Sequence, residues 1–330
     1  MARLTTRSKY RASRGLTLTE LLVAMALGLF LVTGIMTVFL QSKRSYQQDD
    51  ELARMQESAR YTLRLLTREL ALAGLSGYYR FEAHTAEGTP AIASDCGTNW
   101  AVNFGQPIEF SNDVTVTPYA ACIDTADIRS STDVLAVRRT ADDYTLDDGS
   151  VNPKANLDPT NAAFATRVYL QKSGLDYTFL TGGDISAADA TAGSGVGLWE
   201  YYAKIFYIRP YSVAAGDNLP ALCVKSLELS TMTGNCLVEG VENLQFEFGI
   251  DGNGDGVPEQ FEADPTAAQL SNAVAIRVHL LMRSFNPIPG YTNDKTYTLG
   301  STLAAAYAPN DNYFRRVYST TVLLRNIDDV

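Results

Sequence analysis

The sequence predicts an α+β chain, one long N-terminal helix packed on a mostly antiparallel β-sheet domain. Three observations predict it. Residues 21–40 form an apolar run without a charge. An apolar stripe then continues at steps of three or four with no proline between Leu16 and Leu75, which is helical spacing. From residue 78 onward the pattern changes to period two, broken by Gly, Asn, Asp and Pro, which is the spacing of strands and turns.

At about 1.5 Å per residue the run over 21–40 spans the roughly 30 Å of a bilayer's hydrocarbon core. Arg3, Arg7, Lys9, Arg11 and Arg14 precede it with no acid among them, so the N-terminus stays in the cytoplasm and the bulk of the chain crosses. A cleaved secretory signal would need a small-residue site after the run, whereas Leu40 is followed by Gln-Ser-Lys-Arg-Ser-Tyr. A plain membrane anchor leaves Glu20 unexplained. An acid at the edge of an apolar helix costs up to about 3 kcal/mol, so it calls for a partner.

The helix is expected to run on past the membrane. Leu52, Met55, Ala59, Leu63, Leu66, Leu70 and Ala73 form the stripe that packs on the globular domain. Asp49, Asp50, Arg54, Glu57, Arg60, Arg64 and Arg68 fill the opposite face, and Gly74 and Gly77 supply the stop. Strands are expected over 101–110, 114–118, 133–139, 165–171, 201–209, 221–229, 241–250, 273–284 and 313–325. Residues 140–163 and 182–197 read as solvated loops.

The chain carries 27 Lys and Arg against 37 Asp and Glu, a net charge of −10. Loss of the five basic residues before Gly15 takes it to −15, so no nucleic acid is expected as a direct partner. Cys96, Cys122, Cys223 and Cys236 fall in the exported part, where an even count reads as two disulfides. Four cysteines allow three pairings. Modest loops favour Cys96 with Cys122 and Cys223 with Cys236, each contributing about 2–4 kcal/mol.

No nucleophile elbow, phosphate-binding loop or zinc-protease motif occurs, and His84 and His279 stand in unrelated contexts. The acid pairs Asp142–Asp143 and Asp147–Asp148 read as loop solvation. No enzymatic activity is expected. One ligand pattern does stand out. Asp251, Asn253 and Asp255 occupy positions one, three and five of a loop with Gly256 at six and Glu262 at twelve. That is the oxygen-ligand spacing of a calcium loop, in which the Val257 carbonyl, Glu259 through water and a bidentate Glu262 complete the set. Against a calcium loop stand Pro258 and the preceding strand, where an EF-hand has a helix; a polar turn between strands is the other reading.

Arg14-Gly15-Leu16-Thr17-Leu18-Thr19-Glu20, followed by Leu21-Leu22-Val23-Ala24, resembles the class III signal of type IV prepilins and type II secretion pseudopilins. The resemblance implies cutting by a prepilin peptidase between Gly15 and Leu16 and N-methylation of the new first residue, Leu16 here where Phe is usual. Gly15, lacking a Cβ, lets a peptidase approach the backbone closely. The freed amine is a natural partner for Glu20 of a neighbouring subunit, which would set the axial register of a helical stack.

Val238-Glu239-Gly240-Val241-Glu242-Asn243-Leu244-Gln245-Phe246, the Asp251–Gly256 turn, Arg315-Arg316-Val317-Tyr318-Ser319-Thr320-Thr321-Val322 and the stem Ala53-Arg54-Met55-Gln56-Glu57 resemble the PilW family of minor pilins. This implies a type IV pilin-like fold and the following division: leader 1–15, membrane and filament-core half-helix 16–40, amphipathic half-helix 41–77, and periplasmic β-rich domain 78–330. It implies a low-abundance subunit that starts pilus assembly at the tip, with other minor pilins, the major pilin and the inner membrane as partners. A type II secretion minor pseudopilin shares leader, stem and sheet. A membrane-anchored calcium-dependent adhesin would share the anchor but need neither Gly15 nor Glu20.

Overall fold

The computed structural model describes residues 15–77, 90–103, 105–153, 157–158, 160–174, 176–301 and 307–327. It divides into two units, Met1–Asp50 and Glu51–Val330. Residues 1–14 of the expected leader, and His84, lie outside the described residues.

Helix α1 (Leu18–Ala71) is uninterrupted. In the first unit the Thr33 and Thr37 hydroxyls donate back to the Leu29 and Gly34 carbonyls at 2.8 Å each, so neither needs an outside partner in apolar surroundings. From Glu51 onward the helix is amphipathic. Met55, Ala59, Leu66, Leu70 and Ala73 are at most 1% exposed, and Leu52 and Leu63 pack half-buried beside them. Full burial of each large side chain contributes about 1.5–3 kcal/mol. Gly74, at φ +77°, ends the run, and its N–H donates to the Arg138 carbonyl at 3.0 Å. A Cβ there would lie 2.8 Å from the Asn326 carbonyl oxygen, so the stop requires glycine.

Polar anchors hold this half-helix at both ends. Glu51 accepts from the Phe285 N–H (2.8 Å) and Asn286 Nδ2 (2.7 Å). Glu69 accepts from Arg139 Nε at 2.9 Å and Lys204 Nζ at 2.7 Å. Burial alone would raise the Glu69 carboxyl, but these two cations outweigh it and hold it below the usual carboxylate range. Asn326 Nδ2 caps the Ala71 carbonyl at 3.2 Å.

The rest of the second unit contains β1 (Ile108–Val114), β2 (Thr132–Thr140), β3 (Leu146–Asp147), β4 (Ser150–Val151), α2 (Ala162–Ala165), β5 (Val168–Ser173), β6 (Asp176–Thr181), β7 (Val196–Arg209), β8 (Ala221–Glu228) and β9 (Thr231–Glu239). It continues with β10 (Val241–Ile250), β11 (Gln260–Glu262), α3 (Ala267–Leu270), β12 (Ala273–Arg283) and β13 (Arg315–Leu323). Every strand pair is antiparallel. Among the described residues they form a nine-stranded sheet built around the long β7 and a four-stranded sheet in the order β11-β10-β12-β13. The first half of β7 pairs with β3 and β5, the second half with β2 and β8.

The main core lies where the α1 stripe meets both sheets. Leu135, Val137, Phe206 and Leu222 come from the first, and Leu244, Phe246, Ile276, Val278 and Leu280 from the second. Asp133 staples the sheets together, its two oxygens accepting from the Asp113 N–H at 2.9 Å and the Phe246 N–H at 2.7 Å. Burial pushes its carboxyl well above the ordinary value, and those two N–H donors only partly offset it. The cysteines pair as Cys96–Cys122 and Cys223–Cys236.

Several expected boundaries move. Residues 101–103, 105–107 and 115–118 are not strand, and one strand spans 108–114. Asn112 and Asp113, which fall between the two expected strands, sit inside it at a bulge, with Asp113 at φ +44°. Strands β3 and β4 fall within the loop expected over 140–163, and β6, β9 and β11 occupy stretches where the sequence predicts no strand. Residues 196–200 extend β7 beyond its expected start, and α1 ends at Ala71, before the expected residue 77.

Candidate functional site

The segment ahead of α1 is open. Gly15, Leu16 and Thr17 are non-helical and exposed; among the described residues nothing lies within 4 Å of where a Gly15 Cβ would be, and Leu16 is 79% exposed. Glu20 has a local partner that the membrane argument overlooked. Its carboxylate accepts from the Thr17 N–H at 2.9 Å and hydroxyl at 2.8 Å, while the Glu20 N–H reaches back to Thr17 Oγ1 at 3.3 Å. This reciprocal capping box closes the first turn of the helix. Its signature, Thr-x-x-Glu ahead of an apolar run, was present in the sequence.

Beyond the box, residues 18–50 are exposed along their length apart from a half-exposed Gly28. Phe30, Ile35 and Val38 are each at least 67% exposed. So large a continuous apolar surface marks a membrane or interaction segment, and the helix is long and apolar enough to cross a bilayer.

The acidic loop joins β10 to β11 as a hairpin rather than leading into a helix. Asp251, Asp255 and Glu259 each bring a carboxylate oxygen within 4.8 Å of the others. Asp251 accepts from the N–H groups of Asn253, Gly254 and Gly256 at 3.0, 2.6 and 2.6 Å. Partial burial would raise its carboxyl; those donors hold it below the ordinary value. Asn253 Oδ1 accepts from the Asp255 N–H, and Glu259 Oε2 from the Gly252 N–H, both at 2.8 Å. Glu262 lies outside this group. The strand exit pairs it with Phe248 in the ladder, whereas a helical exit would swing position twelve back over the loop. Glu259 instead brings its own carboxylate in.

Glu242 and Arg315, which stand in two separate stretches of family resemblance, meet as a buried ion pair. Arg315 Nη2 lies 3.1 Å from Glu242 Oε1, and Nε bonds the other oxygen. The side chains are 1% and 2% exposed. Tyr307 and Arg129 also donate to Glu242 at 3.0 and 3.3 Å, and Asp311 binds Arg315 from the far side at 2.6 and 2.7 Å. His279 is buried against Glu247 at 2.9 Å, a structural contact within the sheet.

Comparison with known proteins follows the same division. Residues 205–326 match the family described as type IV pilus-assembly protein W, PilW. Residues 10–36 match the prokaryotic N-terminal methylation motif. Among solved structures, a type IV-like pilin from Thermus thermophilus is similar over 83% of this chain and 97% of its own, at 13% identity and a TM-score of 0.39. No curated protein matches. The apolar helix behind the methylation motif fits single-pass anchoring in the bacterial inner membrane with a soluble C-terminal domain. The chain thus carries a region over 205–326 that matches the PilW family and, over 10–36, an N-terminal methylation motif of the kind type IV pilins have.

Proposed function

We propose that this protein is a minor pilin that primes type IV pilus assembly at the pilus tip, acting with other minor pilins and the major pilin after a prepilin peptidase cuts between Gly15 and Leu16. The observation that carries the reading is the combination, on one chain, of a PilW domain over 205–326 and a bare apolar helix behind a methylation motif. Its role is structural, not catalytic. The PilW match favours a pilus over a type II secretion pseudopilus. Deletion of the protein from its producing cell is expected to remove most surface pili, counted by electron microscopy. Normal pili with a secretion defect would select the pseudopilin reading.

Glu20 is the assembly residue in this reading. Glu20→Ala removes both the cap and the charge, so the chain inserts but does not restore pili to the deletion strain. Glu20→Gln can still close the capping box while lacking the charge. Restoration by Gln would assign the residue to helix capping; failure by Gln would assign it to the neighbouring amine. Full restoration by Ala would reduce the segment to a plain anchor.

The β10–β11 hairpin binds Ca²⁺ in the same reading. Asp251, Asp255 and Glu259 supply carboxylates, with Asn253 and the Val257 carbonyl completing an oxygen set of the kind calcium takes. Crowded carboxylates repel one another unless a cation sits among them. Calcium at 100 times its Kd is expected to stabilise the protein by about 2.7 kcal/mol, read as a rise in melting temperature. Asp251→Ala with Asp255→Ala abolishes the rise, whereas Glu262→Gln leaves it. No shift at millimolar calcium would make the segment a polar turn, which the Asp251 hydrogen bonds already support.

A further inference from the structure

Sheet edges attract foreign strands unless they are shortened, bulged, charged or covered. Most edges here are guarded. Strand β4 has two residues and β11 three; β1 and β9 carry register shifts, and Ala93 covers the start of β9. Strand β6 runs six residues and opens on Asp176. Strand β13 opens on Arg315 and Arg316 but has no such protection beyond them. It pairs with β12 over nine consecutive positions without a register shift. From Val317 to Leu323 it contains no charge and no proline, and Val317, Thr320, Thr321 and Val322 are β-branched.

The direction of the free groups follows from the ladder. Ser284 N–H donates to the Phe314 carbonyl, and Leu324 N–H to the Val274 carbonyl. Even-numbered residues of this strand therefore turn their backbone groups to β12. The N–H and C=O groups of Val317, Ser319, Thr321 and Leu323 point outward, and none has a backbone partner among the described residues. Ser319, Thr321 and Leu323 are exposed.

The charge beside this edge is distinctive. Arg60, Arg64 and Arg68 recur at i, i+4 and i+8 on the exposed face of α1, with no side-chain hydrogen bond or ion pair among the described residues. Arg60 and Arg316 both act electrostatically on Tyr318 of β13, and Arg316 lies over its ring. Further along, Asn326 reaches Ala71, so strand and helix run side by side. A basic stripe thus borders the open edge of a chain whose net charge is −10.

We infer that β13 receives an extended, carboxylate-bearing segment of a different protein chain as an added strand of the four-stranded sheet. Main-chain hydrogen bonds to residues 317–323 would hold it, and Arg60, Arg64, Arg68 and Arg316 would select its acids. A second copy fits poorly, because pairing two β13 edges would bring two arginine stripes together. The inference does not rest on the priming role, since it follows from the sheet edge and the adjacent charge.

The test places photoreactive benzoylphenylalanine at Ser319 of the full chain in membranes of the producing cell, with the crosslinked peptide sequenced by mass spectrometry. The expected product is a β-prone segment of another chain with Asp or Glu at alternate positions. Its yield should fall about tenfold or more when Arg60→Glu, Arg64→Glu and Arg68→Glu are combined. Thr321→Pro should do the same, since it removes an N–H that the fold leaves unpaired. Unchanged melting temperatures separate both variants from misfolding, and the exposed helical triple carries the test if the proline variant unfolds. Crosslinks to a second copy, to lipid or to a segment without carboxylates would overturn the inference. So would a yield no higher than from the same probe at Val213, which is 84% exposed.

Discussion

Gly15→Trp is expected to leave the chain unprocessed, with its leader intact and no pili restored to the deletion strain. The helix does not begin until Leu18, so the Gly15–Leu16 bond lies in exposed, non-helical chain that a peptidase can draw out. No described residue crowds Gly15, so a side chain there meets no obstacle from them and acts on the peptidase's approach. Gly15→Ala, adding one carbon, should slow cutting rather than stop it. Mass spectrometry of the wild-type chain should find an N-terminus at Leu16, one methyl group heavier than the bare amine. An intact Met1 leader on functional protein would refute processing at this site.

Arg315→Met is expected to cost about 3–5 kcal/mol, because it strands the Glu242 carboxylate in the interior without its main counter-charge. For a domain of this size that lowers the melting temperature by roughly 10 °C, measured by circular dichroism on the full chain in detergent. Arg129 at 3.3 Å is the remaining cation nearest to Glu242, and it is itself 29% exposed, so its compensation is partial. Adding Glu242→Leu to Arg315→Met should recover part of the loss, since a well-packed apolar pair can replace a buried ion pair. A single variant that melts within about a degree of wild type would show that the network contributes little.

The most legible parts of the sequence were those whose pattern reports burial directly. Leu244, Phe246, Phe248 and Ile250 alternate with polar residues and form β10 with one face on the core, although Gln245 and Glu247 on the other face are buried too, where the alternation predicts exposure. The stem stripe is buried as its spacing required. Strand β9 was hidden because Gly234 and Asn235 interrupt the apolar alternation that marks a strand; pairing with β8 and the Cys223–Cys236 bond hold it extended. Asp113 lies between two expected strands yet inside β1, since a bulge takes a positive φ without ending the strand. At the candidate sites, spacing brought Asp251, Asp255 and Glu259 together but could not reveal that Glu262 would be drawn into a ladder. Thr17 was missed because the charge of Glu20 suggested a distant partner when the nearest was one turn away.

The anchors at the two ends of the buried half-helix also govern how the domain takes a mechanical load. A pull along α1 meets Glu51 bonded to residues 285–286, then Glu69 gripped by β2 and β7, then Ala71 tied to Asn326. These attachments reach different parts of the fold, so tension is shared among several bonds in shear instead of peeling one strand at a time. Rupture under force is governed by the unfolding rate. Substitution at Glu51 or Glu69 would therefore shorten the domain's lifetime under tension by letting the helix slide against its sheets.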